Sequence, residues 1–206
     1  FIMTLGMSSV VLGLALSLTG GIPIYGMPPN FTDIFGYGVW KGFPVPILVT
    51  IPCIGLMYLF LNWTRVGRYI YAIGGNLRAA QLSGINTKMC LIIAYTAAAF
   101  FTGIAALLIT ARLDTGESNL GVSYPLLSIA ACAIGGVSLQ GGVGKLHNVV
   151  LGAVFIILIQ NGMNLMRINS YYQMVAIGSL LIISIMAENF RQQLMLTYKN
   201  KTGSSI

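Results

Sequence analysis

The sequence predicts an all-α membrane protein, a polytopic helical bundle with about six transmembrane helices. Of its 206 residues, 56% are hydrophobic and only 7% are charged, whereas a soluble domain carries about 25% charged residues. So few charges cannot cover a soluble surface. The hydrophobic residues also gather in long stretches, and a stretch exposed to lipid can satisfy its backbone hydrogen bonds only as a helix or in a closed barrel. The composition therefore excludes an ordinary soluble domain.

Six apolar stretches have about the length that a bilayer-spanning helix needs, which is roughly 17–25 residues. They cover residues 1–19, 43–62, 89–111, 122–138, 149–166 and 171–187. The fourth stretch contains Pro125 and the pair Gly135-Gly136, so we expect it to be short or broken. We expect residues 1–191 to form a transmembrane domain and residues 192–206 a cytoplasmic tail. Because Phe1 opens directly into apolar sequence, we also expect this domain to be the C-terminal portion of a longer chain.

The basic residues predict how the helices are oriented in the membrane. The formal net charge is +7, from 11 Lys and Arg against four Asp and Glu. Cytoplasmic loops carry an excess of Lys and Arg. If residues 63–88 are cytoplasmic, three basic residues lie outside and eight lie inside, namely Arg65, Arg68, Arg78, Lys88, Lys145, Arg191, Lys199 and Lys201. Orientation in lipid thus accounts for the charge. No basic run is interleaved with aromatic residues, so we expect no nucleic-acid partner.

The sequence offers no catalytic centre. His147 is the only histidine, which excludes a multi-histidine metal site. The run from Gly141 to Lys145 resembles a phosphate-binding loop. It lacks the first glycine of that motif, where Leu139 stands, and the Ser or Thr after the lysine, where Leu146 stands. The apolar stretches contain no paired carboxylates for acid–base catalysis. We therefore predict a protein that is not an enzyme and has no catalytic residue, metal ligand or cofactor.

The most distinctive feature is a polar, basic island, residues 67–85, between the second and third apolar stretches. Asn76 is suited to begin a helix and Gly84 to end it, which predicts a short helix over residues 76–84. Such a helix would be about 13 Å long, with Leu77, Ala80 and Leu82 as a small apolar surface. Two interpretations remain open here. The island is either a solvated connector or a projection that docks into a cytoplasmic partner.

A second polar group lies near the end of the fifth stretch. Asn161 and Asn164 are three residues apart and share one helix face, and Tyr172 and Gln173 open the next stretch at a similar depth. Amides in a membrane helix usually face protein or a water-filled cavity. They form either interhelical hydrogen bonds or a path for a hydroxyl-rich solute, because amides donate and accept without a fixed charge.

Two other segments have more than one interpretation. Residues 20–42 are rich in Gly, Pro and aromatic residues and form either a connector or a structured loop that contacts a partner. Glycines crowd the end of the fourth stretch and indicate tight turns or a hinge; they are Gly135, Gly136, Gly141, Gly142 and Gly144.

Three blocks of the sequence are similar to one known protein family. The first block is Phe1-Ile2-Met3-Thr4-Leu5-Gly6-Met7. The second runs from Thr64-Arg65-Val66-Gly67-Arg68 through Ala72-Ile73-Gly74-Gly75-Asn76 and Ala79-Ala80 to Ser83-Gly84-Ile85. The third joins Ile134-Gly135-Gly136-Val137-Ser138-Leu139-Gln140-Gly141-Gly142-Val143-Gly144 to Asn161-Gly162-Met163-Asn164-Leu165. In these blocks the chain resembles the permease subunits of bacterial ribose-type sugar ABC importers. Members of that family typically have acidic residues where Pro125 and Leu127 stand here.

The resemblance implies a multi-pass permease of the bacterial inner membrane that imports sugar. Its partners would be a cytoplasmic ATP-binding subunit, a second permease subunit, an extracytoplasmic substrate-binding protein and membrane lipid. The ATP-binding subunit would dock on an ATPase-coupling loop formed by Gly74, Gly75, Asn76, Leu77, Arg78, Ala79, Ala80, Gln81, Leu82, Ser83, Gly84 and Ile85. The alternative is a membrane channel or a non-transporting membrane scaffold, which would work without an ATPase.

Overall fold

The computed structural model describes residues 2–138 and 140–203, with side chains described as far as Met186. Phe1, Leu139 and residues 204–206, which belong to the predicted tail, lie outside the described residues. The helices are α1 (Ile2–Thr19), α2 (Pro29–Phe31, continued by a π-helical turn, Thr32–Gly36), α3 (Val45–Trp63), α4 (Arg65–Gly75), α5 (Leu77–Leu82), α6 (Thr87–Leu113), α7 (Tyr124–Ile134), α8 (Leu146–Leu165) and α9 (Ser170–Gly203). Four two-residue strands are β1 (Ile24–Tyr25), β2 (Val39–Trp40), β3 (Phe43–Pro44) and β4 (Thr115–Gly116).

Each of the six predicted apolar stretches coincides with a helix. Within the described residues, α1, α3, α6 and α8 are long and apolar enough to cross a bilayer, while α7 and the Ser170–Met186 part of α9 are shorter apolar helices. The prediction of a polytopic helical membrane protein is therefore confirmed. The prediction that the fourth apolar stretch is short or broken is also confirmed. Helix α7 has 11 residues, with Pro125 in its first turn and Gly135 at its C-cap.

Helix α9 differs from the predicted division of the chain into domain and tail. The predicted boundary lies between residues 191 and 192, but α9 continues as one helix of 34 residues to Gly203. Most of the predicted tail is therefore helical backbone. The assignment of residues 192–206 to the cytoplasm stays a prediction.

The described chain forms two compact units. The first comprises Phe1–Arg68 and Asn86–Val122, and the second comprises Tyr69–Ile85 and Ser123–Ile206. In the first unit, the segment after α1 folds onto the chain around the C-terminal end of α6. Strand β1 pairs antiparallel with β4, and β2 pairs with β3 as a hairpin. This hairpin turns at Lys41 and Gly42, both of which have positive φ.

Hydrogen bonds hold this segment against the end of α6. The buried Thr32 donates its hydroxyl to Asp114 Oδ1 at 3.0 Å, and the Tyr37 hydroxyl donates to the carbonyl of Arg112 at 2.9 Å. A Cβ on Gly36 would overlap the carbonyl oxygen of Ala111, so the backbones touch. Residues 20–42 are thus an ordered structure rather than a loose connector. Whether they contact a partner stays a prediction.

The core of the second unit lies between α7 and α8. Small side chains let the two helices approach closely. Ala130 and Ala131 are buried on α7 and pack with Ile156 of α8. A Cβ on Gly152 would overlap the carbonyl oxygen of Ala131. Leu181 of α9 packs against the same cluster, which joins the three helices in one unit.

Candidate functional site

The polar island between α3 and α6 contains two helices where the sequence predicted one. Helix α4 extends to Gly75, and Asn76 separates it from α5. The Asn76 side chain caps α5, because its Oδ1 accepts a hydrogen bond from the backbone N–H of Ala79 at 3.0 Å. The predicted helix start at Asn76 is confirmed. Helix α4 was missed because two glycines stand at its C-terminal end and disfavour a helix by propensity.

Gly84 ends α5 as predicted. It has φ of +78°, a left-handed conformation that glycine adopts without strain. The N–H of Gly84 donates to the carbonyl of Gln81, and the N–H of Ile85 donates to the carbonyl of Ala80 at 3.1 Å. These two bonds form a Schellman motif. Six residues are too few to form a stable helix alone, so the caps at both ends matter to α5.

Helix α5 exposes most of its surface. Its last residue, Leu82, is 90% exposed, and Leu77 is 49% exposed, whereas Ala80 is only 4% exposed. Arg78 and Gln81 are exposed as well. Arg78 precedes Gln81 by three residues and Leu82 by four, so its side chain lies on the same helix face as both. This face, with one cation, one amide and one large apolar side chain, is a small amphipathic surface suited to docking.

The structure also shows what the C-terminal end of α4 contacts. In the second unit, the backbone of Gly74 and Gly75 touches the backbone of Gly141 and Gly142. Both glycine pairs are visible in the sequence, but their contact is not. No pattern along one segment could have identified it, because the two pairs are separated by about 65 residues in the sequence.

Of the four polar residues predicted to lie together, only Asn164 and Gln173 form a hydrogen bond with each other. Gln173 Nε2 donates to Asn164 Oδ1 at 2.7 Å and to the carbonyl of Ile168 at 3.0 Å, which ties the start of α9 to the end of α8. Asn161 and Tyr172 are both exposed. Among the described residues, neither of their side chains makes a hydrogen bond. The observed contact is an interhelical hydrogen bond, the first of the two interpretations of Asn164.

The described residues contain no group of three or more His, Cys, Asp or Glu side chains that could hold a metal ion.

A sequence profile of known transporters decides the family. The profile is described as the branched-chain amino acid transport system / permease component, and it matches residues 1–185. The chain belongs to this permease family. The predicted membership in a permease family is therefore confirmed.

Similar curated proteins are permeases of sugar transport systems. The Ribose import permease protein RbsC of Haemophilus influenzae is 37% identical over 193 residues, which are 92% of this chain and 60% of the relative. The L-arabinose transport system permease protein AraH of Escherichia coli is 34% identical over 93% of this chain and 58% of the relative. The D-allose transport system permease protein AlsC of Escherichia coli is 34% identical over 90% and 56%.

The permease chain thus spans about three-fifths of the length of the curated relatives it matches. No solved structure matches it. The similarity extends across both structural units and includes the α4–α5 island. The resemblance to ribose-type permeases that the sequence motifs predicted is confirmed.

Proposed function

We propose that this chain is part of the membrane-spanning permease subunit of an ATP-driven importer for a monosaccharide or a related polyhydroxylated solute. The names of the similar proteins support this solute class, since they specify ribose, L-arabinose and D-allose. The permease would act in a bacterial inner membrane. Its partners would be a second permease subunit and an extracytoplasmic substrate-binding protein.

The observation that carries the proposal is the exposed, doubly capped helix α5 between two long apolar helices. An ATP-binding subunit would receive the face formed by Arg78, Gln81 and Leu82. The excess of Lys and Arg at residues 63–88 supports a cytoplasmic location for this face. Nucleotide binding would move the docked helix, and the membrane helices would respond as rigid bodies and expose the solute path to alternate sides.

Replacement of Leu82 tests the docking surface. A leucine buried at the centre of an interface contributes about 2 kcal/mol, so Leu82→Ala should weaken ATPase docking by roughly 30-fold. The measurement is the amount of ATP-binding subunit that co-purifies in detergent with the co-expressed, full-length permease. Uptake by reconstituted vesicles should fall in parallel.

The matched control is Leu165→Ala. Leu165 is 86% exposed and ends helix α8, just as Leu82 is highly exposed and ends α5. The control should retain the ATP-binding subunit. Equal retention by both variants would contradict docking through α5, and permease that never carries an ATP-binding subunit would favour the channel or scaffold alternative.

We also propose that the amide group lines part of the solute path. Asn161 is the informative residue, because it is exposed and shares a face with Asn164 but makes no hydrogen bond to a described residue. Loss of one hydrogen bond to a sugar hydroxyl would raise the KM for uptake by about tenfold. Asn161→Ala should therefore raise KM and leave thermal stability unchanged.

Asn164→Ala and Gln173→Ala separate the two interpretations of the amides. If the Asn164–Gln173 bond only joins α8 to α9, both variants should lower thermal stability and leave KM unchanged. A normal KM for the Asn161→Ala variant would show that these residues do not line the solute path.

A further inference from the structure

The contact between two glycine pairs places the α4–α5 island directly against the turn between α7 and α8. Gly74 lies in the last turn of α4, and a Cβ there would overlap the amide nitrogen of Gly142. A Cβ on Gly142 would lie 2.7 Å from the Cα and the N of Gly75, and one on Gly141 would lie 3.0 Å from the Cα and the O of Gly74. Real Cβ atoms essentially never approach closer than 3.0 Å. The two backbones therefore touch without any side chain between them.

Described residues on the α7–α8 side of this contact have a constrained backbone. Gly141 and Gly142 have φ values of +97° and +76°, which strongly favour glycine. The N–H of Gly141 donates to the carbonyl of Ser138 at 3.0 Å, and the N–H of Ser138 donates to the carbonyl of Val143 at 2.9 Å. These bonds brace the turn, so a displacement of Gly142 is carried into the chain on either side.

Behind this turn, α7 and α8 are held together by further backbone contacts. A Cβ on Gly135 would lie 2.6 Å from the carbonyl oxygen of Asn148, and Gly152 touches the carbonyl oxygen of Ala131. Close-packed interiors transmit displacement with little compression. Helix α8 also carries Asn161 and Asn164 near its other end. Close backbone contacts thus occur between Gly74 and Gly142 and at two points between α7 and α8.

We propose that the contact of Gly74 and Gly75 with Gly141 and Gly142 transmits the movement of the docked α5 helix to the α7–α8 pair. This inference rests on the proposed docking of an ATP-binding subunit on α5. Gly74, Gly141 and Gly142 are positioning residues, because a Cβ at each would meet the opposite backbone, whereas Gly75 contributes only backbone atoms and a Cβ on it would meet nothing within 4 Å. They do not bind the ATPase or the solute, and they act by keeping the backbone of the island in direct contact with the backbone of the turn.

Adjacent glycines in α4 provide a matched pair of variants. Gly74→Ala places a Cβ on the amide of Gly142, whereas a Cβ on Gly75 meets nothing within 4 Å. Both substitutions give the same gain of about 1 kcal/mol in helix propensity. Full-length permease with its ATP-binding subunit should be reconstituted in vesicles, with ATP hydrolysis and solute uptake measured together.

Gly74→Ala should retain the ATP-binding subunit and hydrolyse ATP, while uptake per ATP falls at least about fivefold. Gly75→Ala should behave as the unsubstituted permease does. A variant that merely destabilised the protein would lower hydrolysis and uptake together and would leave their ratio unchanged. If Gly74→Ala transports as efficiently per ATP as Gly75→Ala, the inference is wrong, while docking through α5 is judged separately by Leu82→Ala.

A second pair of variants tests whether a folding defect at position 74 explains the loss of coupling. Gly142→Ala is expected to uncouple in the same way. Its control is Gly136→Ala, because Gly136 has a similar φ of +69° but an open surrounding. The backbone strain is thus matched and only the contact differs. If neither Gly74→Ala nor Gly142→Ala yields folded permease although both controls do, the contact is a folding requirement and the transmission role is overturned.

Discussion

Substitution of Gly152 by alanine should lower the free energy of unfolding of the permease by about 2 kcal/mol, as is typical of overpacking in a core. The new Cβ would overlap the carbonyl oxygen of Ala131 and lie 3.0 Å from the N of Gly135. Backbone atoms cannot rotate away as a side chain can, so α7 and α8 would have to separate. Their separation would also loosen the packing of Ala130 against Ile156.

Gly162→Ala is the matched control, because it lies on the same helix and its Cβ would meet nothing within 4 Å. That variant should be more stable by up to about 1 kcal/mol through helix propensity. The midpoints of unfolding in mixed detergent micelles report both values. Equal midpoints for the two variants would show that α7 and α8 do not pack through Gly152.

Loss of both caps should unfold α5. Asn76→Ala removes the side-chain acceptor for the Ala79 N–H, at a cost of about 1 kcal/mol. Gly84→Val places a β-branched residue at a φ of +78°, which costs about 1–2 kcal/mol or more. The two together amount to about 3 kcal/mol, which would lower the folded fraction of α5 relative to its open form by roughly 100-fold. Hydrogen exchange of residues 77–85 should accelerate, and retention of the ATP-binding subunit should fall.

The control for the cap variants keeps the geometry and changes the residues. Asn76→Asp retains an oxygen acceptor at the N-cap, and Gly84→Asn retains a residue that tolerates the left-handed conformation. This pair should preserve both exchange protection and ATPase retention. If the Asn76→Ala, Gly84→Val permease shows normal protection in α5, then contacts other than the caps maintain this helix.

Prediction from the sequence succeeded where the signal was local. Asn76 was identified as an N-cap because its side chain reaches a backbone N–H three residues later. Gly84 was identified as a terminator because the left-handed conformation favours glycine. The shortness of α7 followed from Pro125 and Gly135 within the stretch itself.

Prediction from the sequence failed for contacts between residues in different segments of the chain. The polar residues Asn161, Asn164, Tyr172 and Gln173 were grouped by depth, yet only Asn164 and Gln173 form a hydrogen bond with each other. Side-chain hydrogen bonds require contact within about 3 Å, and similar depth in a membrane does not ensure that. Helix α4 was missed because its last two residues are glycines, which have low helix propensity. The contact between Gly74 and Gly142 could not be predicted either, because the two residues lie far apart in the sequence.

The sequence by itself determined that this chain lies in a membrane as helices and that a capped helix interrupts them. Those properties depend on hydrophobicity and on hydrogen bonds within a few residues. Only the tertiary structure decided which backbones touch, above all Gly74 with Gly142 and Gly152 with Ala131. A glycine has no side chain to indicate its partner, so its role becomes visible only when the other backbone is in place.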